Sequence, residues 1–204
     1  MKPLLVLAAF PMVLMGWASC SHSGTGHAAL PDPRAVDKSV PEYKNPFHPS
    51  TYAHFVARKD YRKTYDVYKD DTLLNRQPKK SRKIFVCLDE QRGQYLVDGL
   101  VAMDFPLSSG VKAYPTKTGD YAVISKKEDH TSNLYGKMYD AEGKCINYNA
   151  ESTDPIPEGG RFDGSPMPYW QRLTNAGLGL HVGKVRRHPV SHGCVRLPRN
   201  VAEI

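Results

Sequence analysis

Ser191-His192-Gly193-Cys194-Val195-Arg196-Leu197, read together with Gly179-Leu180-His181-Val182-Gly183 upstream of it, concentrates the chemistry of this chain near its carboxyl end. A thiol with an ordinary pKa near 8.5 is mostly protonated at neutral pH, so a nucleophilic cysteine needs a neighbouring imidazole or converging N–H dipoles. Both are on offer. His181 follows an apolar, Gly-spaced strand pattern from Gly177 to Leu180 that would hold it rigidly, and Gly193 lets backbone amides converge on an oxyanion beside Cys194. His192 is the rival base, but strand alternation turns it away from its neighbour Cys194 and favours a supporting role, whereas Arg196 faces the same side as the sulfur. Arg196 is thus a candidate for a substrate carboxylate, with a structural ion pair as the alternative. A zinc site built from His181, His188, His192 and Cys194 is the competing reading. It is the weaker one, because the chain contains no C-x-x-C ligand pair.

Working upstream, short apolar segments at Ile84–Leu88, Gln94–Val97, Val101–Leu107 and Tyr121–Ser125 alternate with turn residues such as Asp98-Gly99 and Thr118-Gly119-Asp120. This pattern predicts an antiparallel, β-rich core. Between Asp129 and Gly164 the chain is polar and punctuated by Gly and Pro, a long loop of the kind that covers a site. Residues 51–82 mix Tyr, Phe and Val with basic residues at loosely helical spacing, predicting one or two short helices as an N-terminal extension. Residues 20–50, rich in His, Gly, Ser and Pro, read as a flexible tether.

The C-terminal motif resembles the signature of the L,D-transpeptidase catalytic domain family, a His followed at a distance by Ser-His-Gly-Cys, an apolar residue, and Arg or Asn. Ser191 to Arg196 match that run position by position. Further similarities occur upstream in the family's order: Lys83–Leu88 with Glu90-Gln91-Arg92, Phe105–Gly110, Tyr114–Gly119, and Met167-Pro168-Tyr169-Trp170. The resemblance spans residues 83–204 and implies a mainly β fold, an antiparallel β-sandwich-like catalytic domain preceded by short helices. It implies that Cys194 forms a thioester with the third residue of a peptidoglycan stem peptide, that His181 is base and acid, and that the product is a cross-link. Amides of Gly193 and Cys194 would hold the oxyanion, and Ser191, Arg196, Tyr169 and Trp170 would contact substrate, with core packing the alternative for the two aromatics. No cofactor is implied. Two departures stand out: His181 and Cys194 are close in sequence for the family, and the domain reads as truncated at Ile204, where members continue through a helix into a final strand. The same Cys/His pair would equally serve an L,D-carboxypeptidase or a hydrolase releasing wall-attached proteins. A noncatalytic wall-binding lipoprotein is the alternative outside enzymology. Papain-like proteolysis is disfavoured, since there the Cys precedes the His.

Residues 1–19 carry Lys2, an apolar run from Leu4 to Met15 and small residues before Cys20, which fits an export signal and is too short to span a membrane. Their ending resembles a lipoprotein signal, making Cys20 a lipidation site and placing the chain in the bacterial periplasm or cell envelope; Trp17 stands where that motif has an aliphatic residue. In an oxidising compartment Cys87 and Cys145 are candidates to pair, with a buried thiol at Cys87 as the alternative. The 204 residues carry 28 Lys and Arg against 21 Asp and Glu, a net +7 that favours polyanionic partners without choosing one. Neither G-x-x-x-x-G-K-[ST] nor G-x-G-x-x-G leading into a helix is present, which removes the usual nucleotide loops.

Overall fold

A computed structural model describes residues 32–77 and 81–204. The export signal, Cys20 and the first part of the tether lie outside the described residues.

Thr51 caps the first helix, α1 (Tyr52–Ala57), by accepting a hydrogen bond from the His54 amide at 3.1 Å. A helix this short leaves its last carbonyls unsatisfied, and residues of the expected tether supply the donors. Lys38 Nζ donates to Val56 O at 2.7 Å, Tyr43 OH to Ala57 O at 2.8 Å, and Asn45 Nδ2 to His54 O at 2.8 Å. Residues 32–50 therefore dock along α1, a correction to their reading as a free tether: composition revealed the missing apolar period but not these side-chain donors.

After β1 (Tyr68–Lys69) and α2 (Asp71–Leu74) come β2 (Arg82–Cys87), β3 (Arg92–Val97) and β4 (Leu100–Pro106). These four strands form one antiparallel sheet in the order β1-β4-β3-β2. The second sheet contains β5 (Ser125–Lys127), β9 (Trp170–Arg172), β10 (Gly179–Val182) and β11 (Val195–Leu197), in the order β11-β10-β9-β5. A third sheet of β6 (Thr131–Tyr139), β7 (Cys145–Glu151) and β8 (Arg161–Pro166) is ordered β7-β6-β8. The last element is α3 (Arg199–Ala202).

The fold is mainly β with antiparallel sheets, as expected. The exception is the parallel pairing of β10 with β11, which sets His181 opposite Arg196. Three segments read as strands correspond to β2, β3 and β4. The fourth does not: residues 121–124 are exposed and irregular, and the strand begins only at Ser125. The segment from Asp129 to Gly164 is not a loop but most of the third sheet. Its strands were hidden because β7 and β8 are solvated on most positions, so no apolar alternation marks them.

Period-2 alternation along β4 sends its residues to two different neighbours. Met103 and Phe105 join Leu107, Leu180, Val195, Leu197, Val201 and Ala202 in the main core. The other face carries Asp104, fully buried beneath the N-terminal extension through Tyr52 and Tyr61. Cys145, on β7, is a free thiol, so the candidate pairing of Cys87 with Cys145 is not formed; the two belong to different sheets.

Candidate active site

The second sheet supplies the floor of a groove of about 610 Å³, and the third sheet and the 111–124 loop supply its walls. Cys194 immediately precedes β11. With Leu180 paired to Val195, the parallel register sets Cys194 beside Gly179 and makes His181 its diagonal neighbour on the same sheet face. Both side chains open into the groove.

The turn before β11 is tied down from several directions. Ser191 is buried, its Oγ donating to Cys194 O at 2.5 Å and accepting from the Gly193 amide at 3.1 Å. Thr116 Oγ1 donates to Gly193 O at 2.6 Å and accepts from the Gly110 amide at 2.9 Å. Gly193 takes φ = +113°, a conformation that side chains rarely adopt. Gly110 is needed for a different reason: a Cβ there would run into the Tyr114 carbonyl and the Gly193 backbone.

His181 is 6% exposed, and its Nδ1 donates to Val182 O at 2.8 Å. A carbonyl only accepts, so Nδ1 carries the proton and Nε2 keeps its lone pair. Burial pushes the His181 pKa down to about 4; the carbonyl contact opposes this, while Arg196 and His130 reinforce it. Burial likewise raises the Cys194 thiol above its ordinary value, opposed by a Gly179 backbone hydrogen bond and the Arg196 charge. The resting site is thus a neutral thiol with a neutral imidazole. The Cys194 Sγ donates to Gly177 O at 3.4 Å.

Chain segments 81–204 match the family model described as the L,D-transpeptidase catalytic domain (YkuD). The chain belongs to the L,D-transpeptidase catalytic domain family. Among solved structures it is similar to an L,D-transpeptidase from Mycobacterium smegmatis at 21% identity and a TM-score of 0.41, covering 57% of this chain and 48% of that one. It is also similar to the catalytic domain of the E. faecium L,D-transpeptidase, at 28% identity and a TM-score of 0.42, covering 61% and 86% of the two chains. A third similarity is to an L,D-transpeptidase from Stackebrandtia nassauensis, at 21% identity and a TM-score of 0.43, covering 74% and 58%. The chain thus spans about half the length of the M. smegmatis protein. No curated protein matches it.

Within this L,D-transpeptidase domain the groove brings together Cys194, His181, Ser191, His192, Gly193, Arg196 and Trp170, but not Tyr169. Tyr169 has φ = +53°, which breaks the strand alternation; its ring packs on the main core beneath the Arg199 guanidinium at 5.4 Å. Its expected place in the groove wall is therefore corrected to the core. Trp170, 2% exposed, packs at a tilt against the His130 ring at 5.0 Å and lies 6.1 Å from the His181 ring. Two further expectations change. The Gly193 amide is committed to Ser191 Oγ rather than free for an oxyanion, and the Ser191 hydroxyl is used up inside the turn rather than offered to substrate. His192 is exposed and sandwiched between Tyr114 at 4.7 Å and Tyr135 at 4.3 Å.

Sequence reasoning missed Tyr135 of β6, which joins the third sheet to the turn before β11, and Thr116, which anchors Gly193. Both come from segments distant in sequence: Tyr135 sits in no pattern that signals a site, and Thr116 lies within the Tyr114–Gly119 segment of the resemblance, where no role was assigned to it. Among the described residues no three His, Cys, Asp or Glu side chains group to hold a metal ion, and His188 is exposed with Nδ1 against Pro189 O.

Proposed function

We propose that this chain is an exported peptidoglycan L,D-transpeptidase that works through a Cys194 thioester. The Cys194 sulfur attacks the carbonyl of the third stem residue, a diamino acid, while its proton passes to His181 Nε2. The imidazolium then gives that proton to the amine of the departing D-alanine as the C–N bond breaks and the thioester remains. An amine of a second stem attacks the thioester, releases the thiol and leaves an amide cross-link between third-position residues. The observation that carries this reading is the joint opening of Cys194 and His181 into one groove from adjacent parallel strands, with Nδ1 held by Val182 O. The Cys194 amide, which has no acceptor among the described residues, is the donor left for the oxyanion. Export and lipid attachment at Cys20 belong to the same reading and rest on residues 1–20.

Incubation of the mature protein with purified tetrapeptide muropeptides, followed by mass spectrometry, tests it. Cross-linked dimers with free D-alanine are expected. Tripeptides alone would assign the thioester to water and make the enzyme an L,D-carboxypeptidase. Unchanged muropeptides with no acyl adduct on Cys194 would overturn the catalytic reading.

The depressed His181 pKa sets the pH dependence. Above about 4 the imidazole is neutral and able to accept the thiol proton, so kcat/KM is expected to hold through the mildly acidic range and fall only as pH approaches about 4. An ordinary histidine base, with a pKa near 6.5, would lose activity about two and a half units earlier. Stability follows the same group with a different window. The unfolded chain takes up this proton as pH drops through about 6.5 and the folded one only near 4, so the His181 contribution is present above 6.5 and is lost as pH falls toward 4. A pH–rate profile for D-alanine release, with an acid limb at 6 or above, would contradict the assignment.

A further inference from the structure

The groove that holds Cys194 is lined by four permanent cations, Lys117, Arg172, Lys184 and Arg196, and by no Asp or Glu. In a chain with 21 acidic residues that exclusion is selective. None of the four cations forms an ion pair among the described residues, where Arg58, Arg92, Arg161 and Arg199 all do. Unpaired like charges in a concave site repel one another and concentrate positive potential, a cost that an anionic ligand removes. Burial lowers the Arg196 pKa, consistent with a guanidinium that lacks a carboxylate partner.

Their positions are informative. Arg172 on β9 pairs with Gly179, so it sits across β10 from Cys194. Arg196 lies opposite His181, and Lys184 follows the end of β10, both in the direction in which β10 and β11 run away from the sulfur. Lys117 stands on the facing loop. Positive charge therefore flanks the nucleophile on two sides, while Gly177, whose carbonyl accepts from the Cys194 Sγ at 3.4 Å, has open space where a side chain would stand.

Resting on the transpeptidase reading, we infer that this groove selects donor stems with free carboxylates on both sides of the attacked carbonyl, and discriminates against stems whose upstream carboxylate is capped as a primary amide. The leaving residue contributes one carboxylate at its C-terminus. The glutamyl and diamino-acid residues on the other side contribute the rest, and each amide replaces a charge-assisted hydrogen bond by a neutral one and forfeits the charge attraction.

The test uses the mature protein and two synthetic tetrapeptides that differ only in the upstream glutamyl carboxylate, free in one and a primary amide in the other. D-Alanine release is followed at low salt and at about 0.3 M NaCl. The free acid is expected to show a kcat/KM at least roughly tenfold higher, expressed mainly in KM, with the advantage shrinking in salt. Arg172→Gln and Lys184→Gln should move the acid-to-amide ratio toward one. Alkylation of Cys194 by uncharged iodoacetamide should stay unchanged in both variants, which separates lost selectivity from lost folding. Equal use of both peptides by the native protein overturns the inference while the transpeptidase reading stands. If neither peptide is cleaved and Cys194 gains no acyl mass, that reading falls and the inference with it.

Discussion

Replacing Cys194 with Ala is expected to abolish the acyl adduct and to lower D-alanine release by roughly four to six orders of magnitude, the scale on which removal of a nucleophile acts. No other group in the groove can stand in. His181 has its Nδ1 committed to Val182 O and is buried, and Ser191 spends its hydroxyl on Cys194 O and the Gly193 amide. Among the described residues the other free thiol, Cys145, lies on β7 and not in the groove. Intact-mass measurement after exposure to a tetrapeptide stem, with peptide mapping of the adduct, checks this directly. An adduct persisting on the Cys194→Ala variant would remove Cys194 from the reaction. His181→Gln retains the thiol but loses the acceptor at Nε2, and a fall of about 10²- to 10⁴-fold is expected because proton transfer then has no positioned partner. Since the resting thiol is neutral, iodoacetamide alkylation should be slow at pH 7 and rise steeply with pH in the native protein. Fast alkylation at neutral pH would instead mean a preformed thiolate.

The residues nearest Cys194 in sequence were the most legible, because a thiol next to a glycine and a second imidazole within one short segment is chemically informative on its own. The strands β2, β3 and β4 were legible for a related reason: each carries apolar residues bounded by turn residues, with Asp98 and Gly99 both at positive φ in the turn between β3 and β4. What failed has a common cause. Alternation predicts side-chain direction only where the backbone is regularly extended, and Tyr169 and Gly193 both depart from that conformation, so the places of Tyr169 and of the Gly193 amide were misjudged. The third sheet escaped because its outward positions, such as Ile146 and Tyr148, are exposed, and its inward ones, such as Tyr135, contact groups far away in sequence. Charge convergence was equally hidden. Arg196 stood out beside Cys194, but Lys117, Arg172 and Lys184 carry no signal one at a time among 28 basic residues, and only the fold shows that the four share a groove without an acid.

Replacing Asp104 with Ala is expected to destabilise the domain by about 3–5 kcal/mol, the usual cost of leaving one member of a buried ion pair without its partner. Asp104 Oδ1 accepts from Arg92, whose side chain is 2% exposed, at 2.7 Å. Its Oδ2 accepts from Tyr52 OH at 2.7 Å and Tyr61 OH at 2.8 Å. The Arg92 guanidinium also reaches the carbonyls of Thr64 and Asp66 at 3.2 and 3.4 Å, and lies 4.8 Å from the Tyr61 ring. Burial next to this carboxylate pushes the Tyr61 phenol up to about 12 and raises Tyr52 as well, so both stay protonated donors at any physiological pH. One carboxylate thus fastens the extension around α1 to β4, the strand whose opposite face builds the main core. Removing it strands a cation in a site closed to water and loosens residues 52–66 together. Urea denaturation followed by tryptophan fluorescence and by limited proteolysis gives both readouts, since early cleavage within 52–66 would accompany the loss. The paired replacement Arg92→Met with Asp104→Leu removes both charges, and it should recover much of the stability while Tyr52 and Tyr61 lose their acceptor. A single variant costing less than about 1 kcal/mol, or a double variant no better than the single, would show that the extension is held by the packing of Phe55, Val56 and Tyr61 instead.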